Sequence, residues 1–369
     1  MGTKPGSSFP SAETNHLPHP VVTSPGMRVL AGDIGGTKTA LAIVEVTARG
    51  LAIRRFQKYA SGEFGSLEEL LSRFLRGRVS PLRAAGFGVA GPVRAGRARV
   101  TKLPWIIGER HLEAATGIPR VLLVNDFVAA ALGIPHVRGR QIATLRAGRA
   151  EPGGPIGLIG AGTGLGQAAL CRIGGRYEPV ASEGGHADFG PRDAVEDRLV
   201  HFLRKRFGRV DRDRLLSGEG LTHLYDFLKS DGFASESNRV SRAFLGADRA
   251  AVISRFGLAR RDPLCREALR RFVSIYGSEA GNLALQYRAT GGIFLAGGIA
   301  PKILPALRGP IFLASFGSKP PLEELLSRIP IHVVLDPSLP LLGAAAAAYR
   351  IAMERTRPFS KTMTRPSRT

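Results

Sequence analysis

The chain has 369 residues, enough for two domains of ordinary size, and 44% of them are apolar. Its mean hydropathy is near zero, no apolar run approaches the roughly 20 residues of a membrane span, and no apolar signal core opens the chain, so a soluble cytoplasmic protein is expected. The 52 basic and 30 acidic residues give +22, but arginines such as Arg54-Arg55, Arg204-Arg206 and Arg270-Arg271 are scattered without interleaved aromatics, which reads as solvated surface rather than a nucleic-acid or polyphosphate surface.

Residues 1–26 are rich in Pro, Ser, Gly and His without a hydrophobic period and are expected to be disordered. The first folded stretch is Gly32-Asp33-Ile34-Gly35-Gly36-Thr37 between two apolar runs, which predicts a β-hairpin. In its turn Gly35 and Gly36 can take positive φ and bring bare N–H groups to an anion, with Thr37 adding a hydroxyl and Asp33 a carboxylate for a phosphate-bound Mg2+. A Walker loop is excluded, because Thr37 stands where its second Gly belongs and a strand follows.

Leu51 to Ala60 reads as a third strand. Ser66 starts a helix with Leu67, Leu70, Leu71 and Phe74 on one face and Glu69 completing a capping box. Ala85 to Ala90 is a small-residue buried strand, Gly108 to Thr116 a short helix, and Arg120 to Val124 a buried strand running into Asn125-Asp126 and an alanine-rich helix. A second glycine-rich hairpin then follows, Gly160-Ala161-Gly162-Thr163-Gly164-Leu165-Gly166, which also fails the dinucleotide fingerprint. Two such hairpins imply a duplicated half, each copy presenting a phosphate-binding turn. Helices are expected over Val195 to Phe207, Gly220 to Lys229 and about Asp262 to Tyr287. Strands are expected at Gly292 to Ala296 and Ile331 to Leu335, with a helix entered near Pro301 after Gly297-Gly298 and a closing helix from Leu341 to Met353. The tail from Glu354 is polar and basic. Strands alternating with helices after an opening meander argue for an α/β fold with mixed sheets.

Three stretches carry candidate chemistry. Asn125-Asp126 ends a buried strand, where open α/β sheets place ligands; Asp126 either N-caps the next helix or accepts a proton from an attacking hydroxyl. Ser182 to Pro191 packs Glu183, His186 and Asp188 into a glycine-rich loop suited to a polyhydroxylated ligand or to its own backbone, a lone His-x-Asp being a weak signal for a metal. Gly297 and Gly298 would let a flat base or ribose lie on the backbone, or simply permit a tight turn. Cys171 and Cys265 cannot build a disulfide framework or a cysteine-based metal site.

These stretches, with Ala90-Gly91-Pro92-Val93, Leu103-Pro104-Trp105, Leu216-Ser217-Gly218 and Gly281-Asn282-Leu283 in the same order, resemble bacterial ATP-dependent glucokinase over about Met27 to Met353. The resemblance implies the two-domain actin-like ATPase (ribonuclease H-like) fold with a cleft between domains. The small domain would span 28–136 plus 335–353 and the large one 137–334. It implies ATP and Mg2+ as cofactors, with Gly32, Asp33, Ile34, Gly35, Gly36 and Thr37 forming the first phosphate loop and Gly162, Thr163 and Gly164 the second. Gly297 and Gly298 would lie in the adenosine site, and Asp33 would serve Mg2+ directly or through water. Asp126 would be the general base toward the sugar 6-hydroxyl. Asn125, Glu183, His186 and Asp213, the last in place of the family's usual Glu, would bind sugar hydroxyls.

Lys102 replaces the family's usual Asn, and Lys38 is closer to the neighbouring ROK sugar kinases, whose cysteine-rich zinc motif this chain cannot supply. These departures bear on sugar preference. The expected reaction is phosphorylation of glucose at O6 from ATP, with a homodimer implied by the family and no membrane or nucleic-acid partner. The alternatives are another hexose, polyphosphate as donor, or a non-catalytic sugar-sensing relative.

Overall fold

The computed structural model describes residues 25–77 and 81–354. Most of the N-terminal extension and nearly all of the basic tail lie outside the described residues. The described chain forms two compact units, 25–124 with 344–354 and 125–343.

The smaller unit is built on a five-stranded sheet. Arg28–Ile34 pairs antiparallel with Lys38–Thr47, which pairs antiparallel with Gly50–Ala60. On its other side Arg28–Ile34 runs parallel to Ala85–Val89, and Val121–Asn125 completes the order. The small residues of Ala85–Val89 matter, since a methyl on Gly86 would overlap the Ala344 carbonyl of the closing helix. Ser66 caps helix Leu67–Leu75 by accepting from Glu69 N at 3.2 Å, while the Glu69 carboxylate takes the Gly65 N–H at 2.7 Å, one residue earlier than a standard capping box. Leu67, Leu70, Leu71 and Phe74 bury their face in a core with Leu30, Ile34, Leu41 and Phe87. Three strands of two or three residues, Val93–Arg94, Arg97–Arg99 and Ile106–Gly108, form a further small sheet that is too short to leave a period in the sequence.

The larger unit repeats the plan. Ile156–Ala161 pairs antiparallel with Leu165–Ile173, which pairs antiparallel with Arg176–Ser182. Ile156–Ala161 also runs parallel to Gly292–Ala296, which runs parallel to Ile331–Val334, and Ile142–Arg146 closes the edge antiparallel. The two edge strands, Arg176–Ser182 and Ile142–Arg146, are only partly buried and their mixed composition hid them. Helix Pro263–Gln286, capped by Asp262 with Pro263 in its first turn, drives Leu264, Leu269, Phe272, Ile275 and Tyr276 into the core. No helix begins at Pro301: turns continue to Ile303, and Leu304–Leu307 is the first helical segment.

Residues 125–136 and 335–343, expected with the smaller domain, group with the larger unit. Close packing accounts for this. A methyl on Gly343 would overlap the Ala129 carbonyl, and Phe127 covers the second glycine hairpin. The closing helix Leu339–Met353 therefore starts in the larger unit and, from Ala344, continues in the smaller.

Candidate active site

In the smaller unit the first hairpin turn is closed by Gly35 N donating to Lys38 O at 3.1 Å. Neither Gly35 nor Gly36 has a positive φ, which corrects the expected turn geometry. Their lack of side chains serves close approach instead: a methyl on Gly36 would overlap the Thr101 carbonyl, and one on Gly35 would stand 2.9 Å from Lys38 O. Ser61, fully buried, holds the turn from behind. Its hydroxyl donates to Gly35 O at 2.8 Å and lies 3.0 Å from Thr39 Oγ1, and its N–H donates to Thr37 O at 3.0 Å. The sequence pointed to no role for this serine, which stands 26 residues from the glycine it serves. Gly32 and Ile34 are core positions, with Ile34 fully buried and a methyl on Gly32 reaching within 2.5 Å of the Phe87 ring. Asp33, opposite Ala40 and Gly88, is partly exposed. Thr37, Lys38, Thr101 and Lys102 are exposed around the turn, and Lys102 has φ +67°.

In the larger unit the glycines of the second hairpin each face a different neighbour. A methyl on Gly160 would stand 2.6 Å from Phe127 Cζ, one on Gly166 would overlap the same ring, and one on Gly164 would stand 2.7 Å from Asp213 Oδ1. Gly162 N donates to Gly164 O at 2.9 Å, Thr163 is exposed, and none of these glycines has a positive φ. Gly297 does, at +80°, and presses against the Ala161 carbonyl at 2.5 Å for an added methyl, while Gly298 faces open space near Gly162. Helix Gly218–Ser230 starts here too. Gly218 N donates to Gly162 O at 3.0 Å, and the Ser217 hydroxyl accepts from Gly220 N at 3.0 Å. A helix N-terminus therefore adds its positive end beside the turn.

Asp126 is the first residue of helix Asp126–Gly133, and its neighbour Asn125 is the cap, with Oδ1 accepting from Phe127 N at 2.9 Å and Val128 N at 3.3 Å. The capping role considered for Asp126 therefore belongs to Asn125. The Asp126 carboxylate accepts from Phe127 N at 2.9 Å and from the Asn125 side chain. Burial pushes its pKa above the ordinary carboxylate value, with the Glu183 charge adding to the rise against these hydrogen bonds.

Glu183 precedes the single turn Gly184–His186 and His186 ends it, and both are exposed. Gly185 is buried against the Leu165 carbonyl, where no side chain fits. A second segment runs antiparallel beside this turn. Asp213 N donates to Gly185 O at 2.8 Å, Arg212 N to Ala187 O at 3.1 Å, and Phe189 N to Val210 O at 3.1 Å. The Asp213 carboxylate takes the Leu165 N–H at 2.6 Å, so this residue joins the Glu183–His186 turn to the second hairpin. Asp211, which sequence reasoning missed although it stands two residues from Asp213, accepts from Arg214 N at 3.0 Å, and its carboxylate lies 3.2 Å from His186 Nδ1. His186, Asp211 and Asp213 offer ligand atoms within 4.8 Å of one another. Because protein groups already engage all three, the cluster reads as a hydrogen-bonding surface rather than a metal centre.

The larger unit thus brings together Asn125, Asp126, Gly162, Thr163, Gly164, Glu183, His186, Asp213, Gly297 and Gly298, and the smaller unit holds Gly32, Asp33, Ile34, Gly35, Gly36 and Thr37 at its own hairpin. The family model described as glucokinase matches residues 30–351. A glucokinase of Nostoc punctiforme is 39% identical over 338 residues, covering 88% of this chain and 99% of that protein. One from Synechocystis sp. is 38% identical over 348 residues, covering 88% and 98%. Among solved structures, a glucokinase from an Antarctic psychrotroph is similar with a TM-score of 0.78 and 29% identity, over 88% of this chain and 99% of that one.

Proposed function

The chain belongs to the glucokinase family, and from that premise we propose how its residues transfer the γ-phosphate of ATP to the 6-hydroxyl of glucose. It is an ATP-dependent hexose kinase of the actin-like ATPase (ribonuclease H-like) fold. Asp126 is the general base. It accepts the proton of the 6-hydroxyl as that oxygen bonds to the γ-phosphorus and the bond to the bridging oxygen of ADP breaks. The observation that carries this role is the placement of Asp126: a partly buried carboxylate, oriented by Asn125 and by Phe127 N, with its proton affinity raised. A carboxylate with raised proton affinity takes a proton more readily than an ordinary one.

Asn125, Glu183, His186 and Asp213 bind the sugar hydroxyls. Gly35, Gly36 and Thr37 cradle phosphate oxygens, as do Gly162, Thr163 and Gly164, and Gly297 and Gly298 accept the adenosine. The exposed hydrogen-bonding groups around His186 and the open space at Gly298 support these assignments. Asp33 offers Mg2+ the hard oxygen donor that ion prefers, and its partial exposure leaves room for the waters Mg2+ retains. When bound, Mg2+ supplies charge neutralisation on the phosphate oxygens. Asn125 orients the base, and the positive end of helix Gly218–Ser230 favours the anion beside Gly162.

A coupled assay with a panel of hexoses, each with ATP and with polyphosphate, tests the reading. Glucose with ATP is expected to be the best pair, and efficient turnover with polyphosphate or a clear preference for another hexose would overturn it. A cytoplasmic location and a homodimer complete the proposal, to be checked by fractionation and sedimentation. No helix among the described residues is long and apolar enough to cross a membrane.

A further inference from the structure

Behind the Glu183–His186 turn lies a buried polar cluster to which none of the roles above extends. Glu279, 4% exposed on the long helix Pro263–Gln286, is its centre. Its carboxylate accepts from Gln167 Nε2 at 2.8 Å and Asn282 Nδ2 at 2.9 Å, and pairs with Arg212 Nη1 at 2.7 Å. The Arg212 side chain is 15% exposed and also reaches Gly184 O with a long 3.4 Å hydrogen bond. Arg212 N meanwhile holds Ala187 O. Gln167 presses so closely that a methyl on Gly184 would overlap its Oε1, a buried oxygen without a hydrogen-bond partner among the described residues. Lys319, donating to Ser278 Oγ at 2.9 Å, also lies within electrostatic reach of Glu279.

A buried ion pair is poor evidence of stabilisation, because an apolar pair of similar volume is often as good. What an apolar pair could not do is fix a turn by its carbonyls. Arg212 grips both ends of the Gly184–Ala187 segment, one through its guanidinium and one through its backbone, and Glu279 aims that guanidinium from a rigid helix. We infer that Arg212 and Glu279 are positioning residues that set the Glu183–His186 turn for the sugar acceptor, and so govern sugar affinity but not nucleotide affinity. The inference rests on the sugar-binding role proposed for that turn.

The test compares wild type with Arg212→Met and with Arg212→Met/Glu279→Gln, reading glucose and ATP dissociation constants by calorimetry alongside Tm and turnover. Arg212→Met should weaken glucose about 10- to 100-fold, as loss of a positioned hydrogen bond does, with ATP affinity within about twofold. It should also lower Tm, because Glu279 is left unpaired. The double variant removes that charge and should regain Tm while glucose stays weak. Recovery of glucose affinity together with Tm would make the pair merely structural, and unchanged glucose affinity in both variants, or equal weakening of ATP, would also overturn the inference. Because binding is read apart from turnover, a wild type that binds glucose without phosphorylating it would sink the assigned reaction and leave the inference standing; a wild type that binds no glucose would remove both.

Discussion

The Phe127 ring occupies the space that a side chain on Gly166 would need. This contact seats the helix that begins with Asp126 on the second glycine-rich hairpin. Gly166→Ala is therefore expected to destabilise by about 1–3 kcal/mol, the usual cost of overpacking. In a unit of this size that lowers Tm by about 2–4 °C per kcal/mol. Turnover should fall further than stability alone requires, since a small displacement of a base can cost about 100-fold. Adding Phe127→Leu should return part of the Tm. An alanine variant with unchanged Tm and turnover would show that the contact is slack.

Asn125, not Asp126, caps the helix that Asp126 begins. Asp126→Ala should lose about two to four orders of magnitude in turnover with the fold intact, because the helix keeps its cap. Asn125→Ala should cost about 0.5–2 kcal/mol of stability, read by chemical denaturation, on top of any loss of turnover from its proposed contacts with the sugar and the base. Near-normal turnover of Asp126→Ala would remove the base from the mechanism.

The raised pKa of Asp126 sets a direction for pH dependence. The acid limb of kcat/KM should lie above that of an ordinary carboxylate, since the base works only when ionised. Glu183→Gln removes a charge that raises this pKa and should move the limb toward lower pH. For stability, the folded state binds the Asp126 proton more tightly than the unfolded chain does. That contribution is fully present below the unfolded pKa and is lost as pH rises through the folded one. At neutral pH Asp126→Asn should therefore unfold at no lower denaturant concentration than wild type, and a clear loss of midpoint would contradict the assigned direction.

Lys102 stands beside Gly36 with φ +67°, a conformation that costs an ordinary L-residue about 1–2 kcal/mol and that Asn adopts more easily. Lys102→Asn should raise the unfolding free energy by about 0.5–1 kcal/mol, part of that strain. A lower midpoint in the variant would show that the lysine makes compensating contacts.

What was legible in the sequence was whatever repeats or punctuates. The two hairpins, the strands Ala85–Val89 and Gly292–Ala296, and the long helix announced themselves by apolar runs between glycines and caps. At Gly35 and Gly36 the expected positive φ is absent, and what requires glycine there is close packing against Thr101 and Lys38. Residues whose part depends on distant partners left no local mark. Ser61 meets Gly35 across 26 positions and Gln167 meets Glu279 across 112, and no pattern of neighbours encodes such pairs.

The grip of Ser61 on the first turn has a thermodynamic consequence. A glycine-rich loop left free would lose its conformational freedom when a phosphate arrived, and that loss would be subtracted from the affinity. Here the buried hydroxyl and its backbone bond to Thr37 charge the ordering to folding, before any nucleotide is present. Nucleotide binding at this turn should accordingly show little entropic penalty of its own. Ser61→Ala should bring that penalty back as a less favourable binding entropy even where the folded turn looks unchanged.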